Sequence, residues 1–299
     1  MQAVVGTKPL CSRLSSGDGA AILVADFQPL TAAPRLSRLV GDVAAGHSVY
    51  QVDPRGALSG DRLYAALPDL ADEAAGLFRA GESSAAPDRR VFVVAHCSSA
   101  SLSLRIADRL AGEREVTAIL VQPTWPDTDH VTEIFAEFQG KLGAGRRPCP
   151  DLDGDPRSCI AGMEQRMSED LAAVAKRLGL GKAPLAFSEL LVSYRTWLAF
   201  LLACRNDQPV KVPSDGVAIS VLTDEPGFVL PGSVPERCRV TPPPPAQRAD
   251  AVTSELATSV LGEVDGQTRD RHVSQKLRQA VSDGPVVFAE AESAQDGRH

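Results

Sequence analysis

The stretch Arg90-Val91-Phe92-Val93-Val94-Ala95-His96-Cys97-Ser98-Ser99-Ala100-Ser101-Leu102 decides how this chain reads. Val91 to Ala95 is an unbroken apolar run rich in β-branched residues, the pattern of a strand buried on both faces. It ends abruptly at His96-Cys97, and small residues then open a helical pattern. A chain that turns from strand to helix within two or three residues needs small side chains around the bend. The residue at the tip of such a corner is presented to whatever lies above the sheet. Here that residue is a thiol, so Cys97 is the first candidate for a nucleophile.

Outward from this corner the chain alternates. Apolar strands are predicted over Ala20–Ala25, Ser48–Val52, Val116–Val121 and Val217–Leu222, with a shorter one over Arg237–Thr241. Helical periodicity is read over Pro34–Ala45 and Leu67–Arg79. Strands of this apolar kind, separated by helices, predict an α/β fold with a mostly parallel central sheet and helices on both faces. Active groups in such sheets gather at the carboxyl ends of strands, and Cys97 is at such an end.

Five regions are expected: a flexible arm over 1–19, a first core segment over 20–126, a helical lid over 127–210, a second core segment over 211–261, and a partly disordered extension over 262–299. The lid holds helical segments His130–Lys141, Met163–Leu178 and Phe187–Cys204, with a Gly/Arg/Pro/Asp-rich loop from Gly143 to Ser158. Four prolines, Pro242 to Pro245, follow the last short strand, and helices are read over Asp250–Leu261 and Arg271–Val281.

With 299 residues, a net charge of −7 and 43% hydrophobic residues, the chain suits one large domain or one domain with an insertion. The acidic balance argues against nucleic acid as a partner. No run of about 18 apolar residues or basic-then-apolar leader is present, so a cytoplasmic protein with no membrane contact is expected. Six cysteines sit at irregular spacings with no C-x-x-C pair, so free thiols and no zinc site are expected, with a Cys149–Cys159 bridge the alternative. The run Asp151-Leu152-Asp153-Gly154-Asp155 resembles the opening of a calcium loop. The positions that would need Gly and Glu hold Pro156 and Gly162, so an acidic surface loop is expected instead.

The corner Ala95-His96-Cys97-Ser98-Ser99 resembles the nucleophile elbow, the G-x-S-x-G turn of α/β-hydrolases. Together with Ala21-Ile22-Leu23-Val24, the segment His47-Ser48-Val49-Tyr50-Gln51-Val52-Asp53-Pro54-Arg55-Gly56, and Ala118-Ile119-Leu120-Val121, it looks like the thioesterase domains that release chains from polyketide and nonribosomal peptide synthases. The resemblance covers roughly residues 20 to 261. It implies an α/β-hydrolase fold with a helical lid. It also implies that an acyl chain passes from the phosphopantetheine of an acyl or peptidyl carrier protein to Cys97, with no resident cofactor. The backbone N–H groups of Ser98 and Phe27 would serve as the oxyanion donors.

The chain departs from that pattern in informative places. The position where the family commonly carries its catalytic Asp is Gln122, and Asp224 fits the alternative place after the later strand. No histidine follows the last short strand, where the family places its base; the nearest downstream is His272. A base at His272, at His130 or absent, and a carboxylate at Asp224, Asp127 or Asp129, are the open assignments. His96 is expected to point away from the acyl site, and His47 to be a solvent or lid-edge residue. The aromatic stretch Tyr194–Phe200 either lines an acyl tunnel or forms a buried lid helix.

A cysteine nucleophile matches a subset of the fold similar to the tetramate- and pyridone-forming Dieckmann cyclases. A thiol keeps the acyl group as a thioester, so its carbonyl stays activated and its α-protons stay acidic. A position at a helix N-terminus is expected to lower the thiol pKa further. The function expected is acyl transfer onto Cys97 with release by cyclisation or hydrolysis. The alternative is a catalytically degenerate hydrolase fold that binds a carrier protein or an acyl chain.

Overall fold

The computed structural model describes residues 9–27, 35–58, 62–82, 90–143, 147–177, 185–232, 238–242 and 257–267. The chain divides into two compact units, Met1–Leu261 and Gly262–His299. In the first, β1 (Cys11–Ser15), β2 (Ala21–Ala25), β3 (Ser48–Val52), β4 (Val91–His96), β5 (Val116–Val121), β6 (Val217–Leu222) and β7 (Cys238–Thr241) build one sheet. Its strand order is β1-β3-β2-β4-β5-β6-β7. Every pair from β3 to β7 is parallel, and β1 alone runs antiparallel, against β3.

The helices are α1 (Leu36–Val43), α2 (Leu67–Gly81), α3 (Ala100–Ala111), α4 (Thr128–Lys141), α5 (Pro156–Arg177) and α6 (Leu185–Asn206). A further helix spans 257–267. α3 packs along β4 and β5, and α2 packs on α3. Val91, Val93 and Ala95 enter one core cluster with Leu102 and Ile106, while the alternating Phe92 and Val94 are buried outside that cluster. The central strands are therefore covered on both faces, which is why they read as continuous apolar runs.

Three expectations change. Residues 1–19 were expected to form a loose arm, yet Cys11–Ser15 is an edge strand. It pairs Cys11 with Val52 and Arg13 with Tyr50, and the Arg13 Nε donates to the Tyr50 hydroxyl at 3.0 Å. The loop expected up to Ser158 ends sooner, because α5 starts at Pro156. Asp155 caps that start, its Oδ2 accepting the Ser158 N–H at 2.9 Å, and proline suits a first helical position. The helix expected over Asp250–Leu261 is described only from 257, and runs on to 267. The helix expected over Arg271–Val281 lies outside the described residues. All six cysteines are free thiols, Cys149 and Cys159 included.

The helical insertion is not a loose cover. α5 and α6 pack together, and α4 packs on both. From Tyr194 to Cys204, α6 is buried on all sides, the behaviour of a core helix.

Candidate active site

At the end of β4 the backbone turns through Cys97 with φ of 49°. A short helical turn, Cys97–Ser99, leads directly into α3, and the Ala100 N–H donates back to the Cys97 carbonyl. A non-glycine residue in this left-handed region costs on the order of 1–3 kcal/mol and persists only where the surroundings over-determine it. Here the register of β4 fixes one side of the corner and the buried face of α3 fixes the other. The corner is also tied laterally. The Ser98 and Thr124 hydroxyls lie 3.1 Å apart, and the Cys204 thiol donates to the Ser98 carbonyl at 3.6 Å. Ser98 and Ser99 are buried, while Cys97 is half-buried and keeps a face toward solvent.

The Cys97 Sγ lies 3.4 Å from the Nε2 of His96. This corrects the expectation that His96 points away. Alternation of side chains holds within a strand, but the positive φ at Cys97 breaks it and swings the thiol back over the preceding residue. His96 is 3% exposed, and burial pushes its pKa down from 6.5 to about 4, so the imidazole is neutral at pH 7. The dipeptide His96-Cys97 at a strand end was itself the available signal.

The neighbouring strand ends carry polar groups. After β2, Asp26 is buried; its Oδ2 accepts the Ser37 N–H at 2.7 Å, and its Oδ1 has no partner among the described residues. Burial raises its pKa to about 6, only partly offset by Ser37 and Arg35. After β3, Asp53 lies between Arg35 Nη1, at 2.8 Å, and the Nε of Arg55, at 2.9 Å. Burial pushes its carboxyl up, but the hydrogen bonds and charges of Arg55 and Arg35 more than offset that and hold it below the usual carboxylate range. After β5, Gln122 also has a positive φ, 43°, and its Nε2 is buried without a hydrogen-bond partner among the described residues.

The other expected site residues fall in several places. Phe27 follows Asp26 and is buried; its ring meets Trp197 and Phe200 of α6 edge-on, at centroid distances of 4.9 and 5.8 Å. The aromatic stretch of α6 thus packs over the loop proposed to donate to an oxyanion. Asp224 is exposed in the turn after β6. Asp127 caps α4, its Oδ1 accepting the His130 N–H at 2.8 Å, and Asp129 is exposed in the first turn. Both favour the helix start electrostatically. His47 lies half-buried just before β3, at the amino ends of the strands and away from Cys97's end, where its Nδ1 accepts the Ala20 N–H at 3.0 Å. His272 lies outside the described residues.

Among the described residues, no group of three or more His, Cys, Asp or Glu could hold a metal ion. No described helix is long and apolar enough to cross a membrane.

No protein-family profile matches this chain. No curated protein matches it either. Among solved structures, it is similar to holo-AB3403, a four-domain nonribosomal peptide synthetase bound to AMP and glycine, with 15% identity and a TM-score of 0.54. That match covers 87% of this chain and 20% of the synthetase, so this chain spans about a fifth of its length. The NocB thioesterase domain from the nocardicin cluster, in covalent complex with a fluorophosphonate nocardicin G analogue, matches at 18% identity and a TM-score of 0.49. That match covers 85% of this chain and 99% of the domain. A putative alpha/beta hydrolase family protein from Desulfitobacterium hafniense matches at 12% identity and a TM-score of 0.45, over 87% of this chain and 98% of that one. The mostly parallel sheet with an antiparallel edge strand, the helices on both faces and the strained corner after β4 make this an α/β-hydrolase fold.

Proposed function

We propose that this protein is an acyl-transfer enzyme that takes a polyketide or polyketide–peptide chain from a carrier-protein thioester onto Cys97 and releases it. The observation that carries this reading is the Cys97 corner: a half-exposed thiol held at a φ of 49° on the carboxyl edge of a hydrolase sheet. Strain of this kind persists only where the surrounding structure over-determines it, and here the residue it holds carries a thiol.

In the first half-reaction the Cys97 sulfur gives up its proton and attacks the thioester carbonyl. The phosphopantetheine sulfur leaves and takes up the proton released from Cys97. Negative charge develops on the carbonyl oxygen in between. We assign the Ser98 N–H, at the start of a helical turn where N–H groups have no intrahelical acceptor, as the donor that receives it, with the Phe27 N–H as the second donor. In the second half-reaction we favour ring closure of the Dieckmann type. A carbon α to a carbonyl of the chain loses a proton, the resulting carbanion attacks the acyl-Cys97 carbonyl, a carbon–carbon bond forms as the carbon–sulfur bond to Cys97 breaks, and the departing thiolate takes up the proton lost from the α-carbon. Retention of a thioester rather than an oxyester suits that step. Hydrolysis is the competing outcome.

The test is incubation of the protein with an acyl-loaded carrier protein, read by intact-protein and peptide mass spectrometry. An acyl adduct on Cys97, missing in Cys97→Ala, is expected. Unchanged substrate turnover by Cys97→Ala overturns the proposal. The second reading, a degenerate hydrolase fold that binds a carrier protein, is favoured by Gln122 at the family's Asp position. Carrier binding with no adduct in the wild type would decide for it.

A further inference from the structure

Accepting Cys97 as the acyl-transfer nucleophile, we propose that the proton acceptor for its thiol is the adjacent residue, His96, so that nucleophile and base are consecutive in the chain. The Nε2 of His96 stands 3.4 Å from the Cys97 Sγ, within the reach of an S–H···N hydrogen bond. The same twist that strains Cys97 creates this contact, because an untwisted strand end would send the two side chains to opposite faces. Strain at the corner thereby gains a second purpose beyond exposing the thiol: it brings a base to it.

The proton balance closes. In the resting state the thiol keeps its proton and donates it toward Nε2 of neutral His96. As sulfur attacks the acyl carbonyl, that proton passes to Nε2. The imidazolium then gives it to the departing phosphopantetheine sulfur, and His96 returns to neutrality. Burial, which pushes the His96 pKa down to about 4, keeps a resting imidazolium–thiolate pair from forming at pH 7, so the proton moves to Nε2 together with the attack and not before it. Other titratable groups near this edge are Asp26 after β2, and Asp53 after β3 with Arg35 and Arg55 upon it. Cys204 on α6 also reaches the corner, with its thiol pKa raised by burial.

The experiment is the pH profile of Cys97 alkylation by iodoacetamide, mapped by peptide mass spectrometry on the full chain, for wild type and His96→Gln. A proton acceptor at His96 predicts that alkylation of Cys97 at pH 7 slows about tenfold in the variant and that added imidazole restores part of the carrier-thioester acylation rate. Superimposable profiles overturn the proposal. Because His96 is buried, a wild-type measurement stands beside the variant. In 15N-histidine-labelled protein, alkylating Cys97 is expected to shift the Nε2 resonance assigned to His96. No shift at that resonance overturns the proposal independently of the variant. Should Cys97 show the His96-dependent profile yet never take an acyl group, the pairing stands and the acyl-transfer reading falls. Should Cys97 acylate equally fast in His96→Gln, the pairing falls and acyl transfer stands.

Discussion

Two adjacent strand ends share one backbone peculiarity and differ in everything built on it. After β4, Cys97 has a φ of 49°; after β5, Gln122 has a φ of 43°. They are the non-glycine residues with positive φ among those described. At Cys97 the excursion brings the thiol sulfur to an imidazole nitrogen. At Gln122 it leaves an amide nitrogen buried with no partner among the described residues. Strain alone therefore does not mark chemistry; what the strained residue meets does. The largest effect should separate the two at Cys97 itself. Cys97→Gly removes the sulfur, so acylation is expected to fall at least about 10³-fold. Glycine relieves a φ cost of about 1–3 kcal/mol against roughly 0.5–1 kcal/mol of added chain entropy, so a net gain of about 1 kcal/mol is expected in urea denaturation. A variant both inactive and less stable would show that the corner holds no strain.

The second contrast is electrostatic. The His96 pKa is about 4 when folded and near 6.5 when unfolded. Between these values the unfolded chain binds a proton that the folded chain refuses. His96 therefore contributes stability that is present above pH 6.5 and is lost as pH falls toward 4, up to about 3 kcal/mol. The Gln122 corner has no titratable side chain and contributes no such slope. Urea midpoints for wild type and His96→Gln, measured from pH 7.5 to pH 4.5, should converge as acidity increases. Parallel curves would break this part of the comparison.

Much of the frame was legible because it is written in residue type. Val91–His96, Val116–Val121 and Val217–Leu222 are buried strands, and their composition says so. Cys97 was legible because small residues crowd a corner. β1 was not, because Cys-Ser-Arg-Leu-Ser has weak strand character of its own; it is a strand because β3 offers it an unpaired edge. The start of α5 was legible in Asp155-Pro156 but hidden by the loop-like composition around it. The His96 contact was illegible because alternation predicts the opposite, and only the dihedral at Cys97 reverses that prediction. The roles of Asp127 and His47 were undecidable from residue type, since a capping carboxylate and a catalytic one are the same residue.

The two corners are also joined. Thr124, two residues past Gln122, reaches the Ser98 hydroxyl at 3.1 Å, and its N–H approaches the Cys97 carbonyl at 3.4 Å. Thr124→Val keeps the shape and removes the hydroxyl pair. A stability loss of about 1 kcal/mol is expected. Combined with Ser98→Ala, it should show a coupling energy of about 0.5 kcal/mol or more in a double-mutant cycle on urea stability. Additive losses would mean that the hydroxyls do not tie the corners together.

The smallest effect is the sharpest test of the comparison. Gln122→Gly keeps the backbone where it is, relieves the positive φ and removes a buried amide nitrogen that lacks a partner among the described residues. Both changes favour the folded state, while the extra chain entropy of glycine and lost packing oppose it, so a net gain of about 0.5 kcal/mol is expected. If Gln122 merely occupies a strained strand end, the acylation rate of Cys97 should stay within about twofold of wild type. A tenfold loss, with stability maintained, would mean that the amide itself contacts the acyl group or orients the thiol. The two corners would then be two halves of one site, joined through Thr124 and Ser98, instead of one working corner beside a structural one.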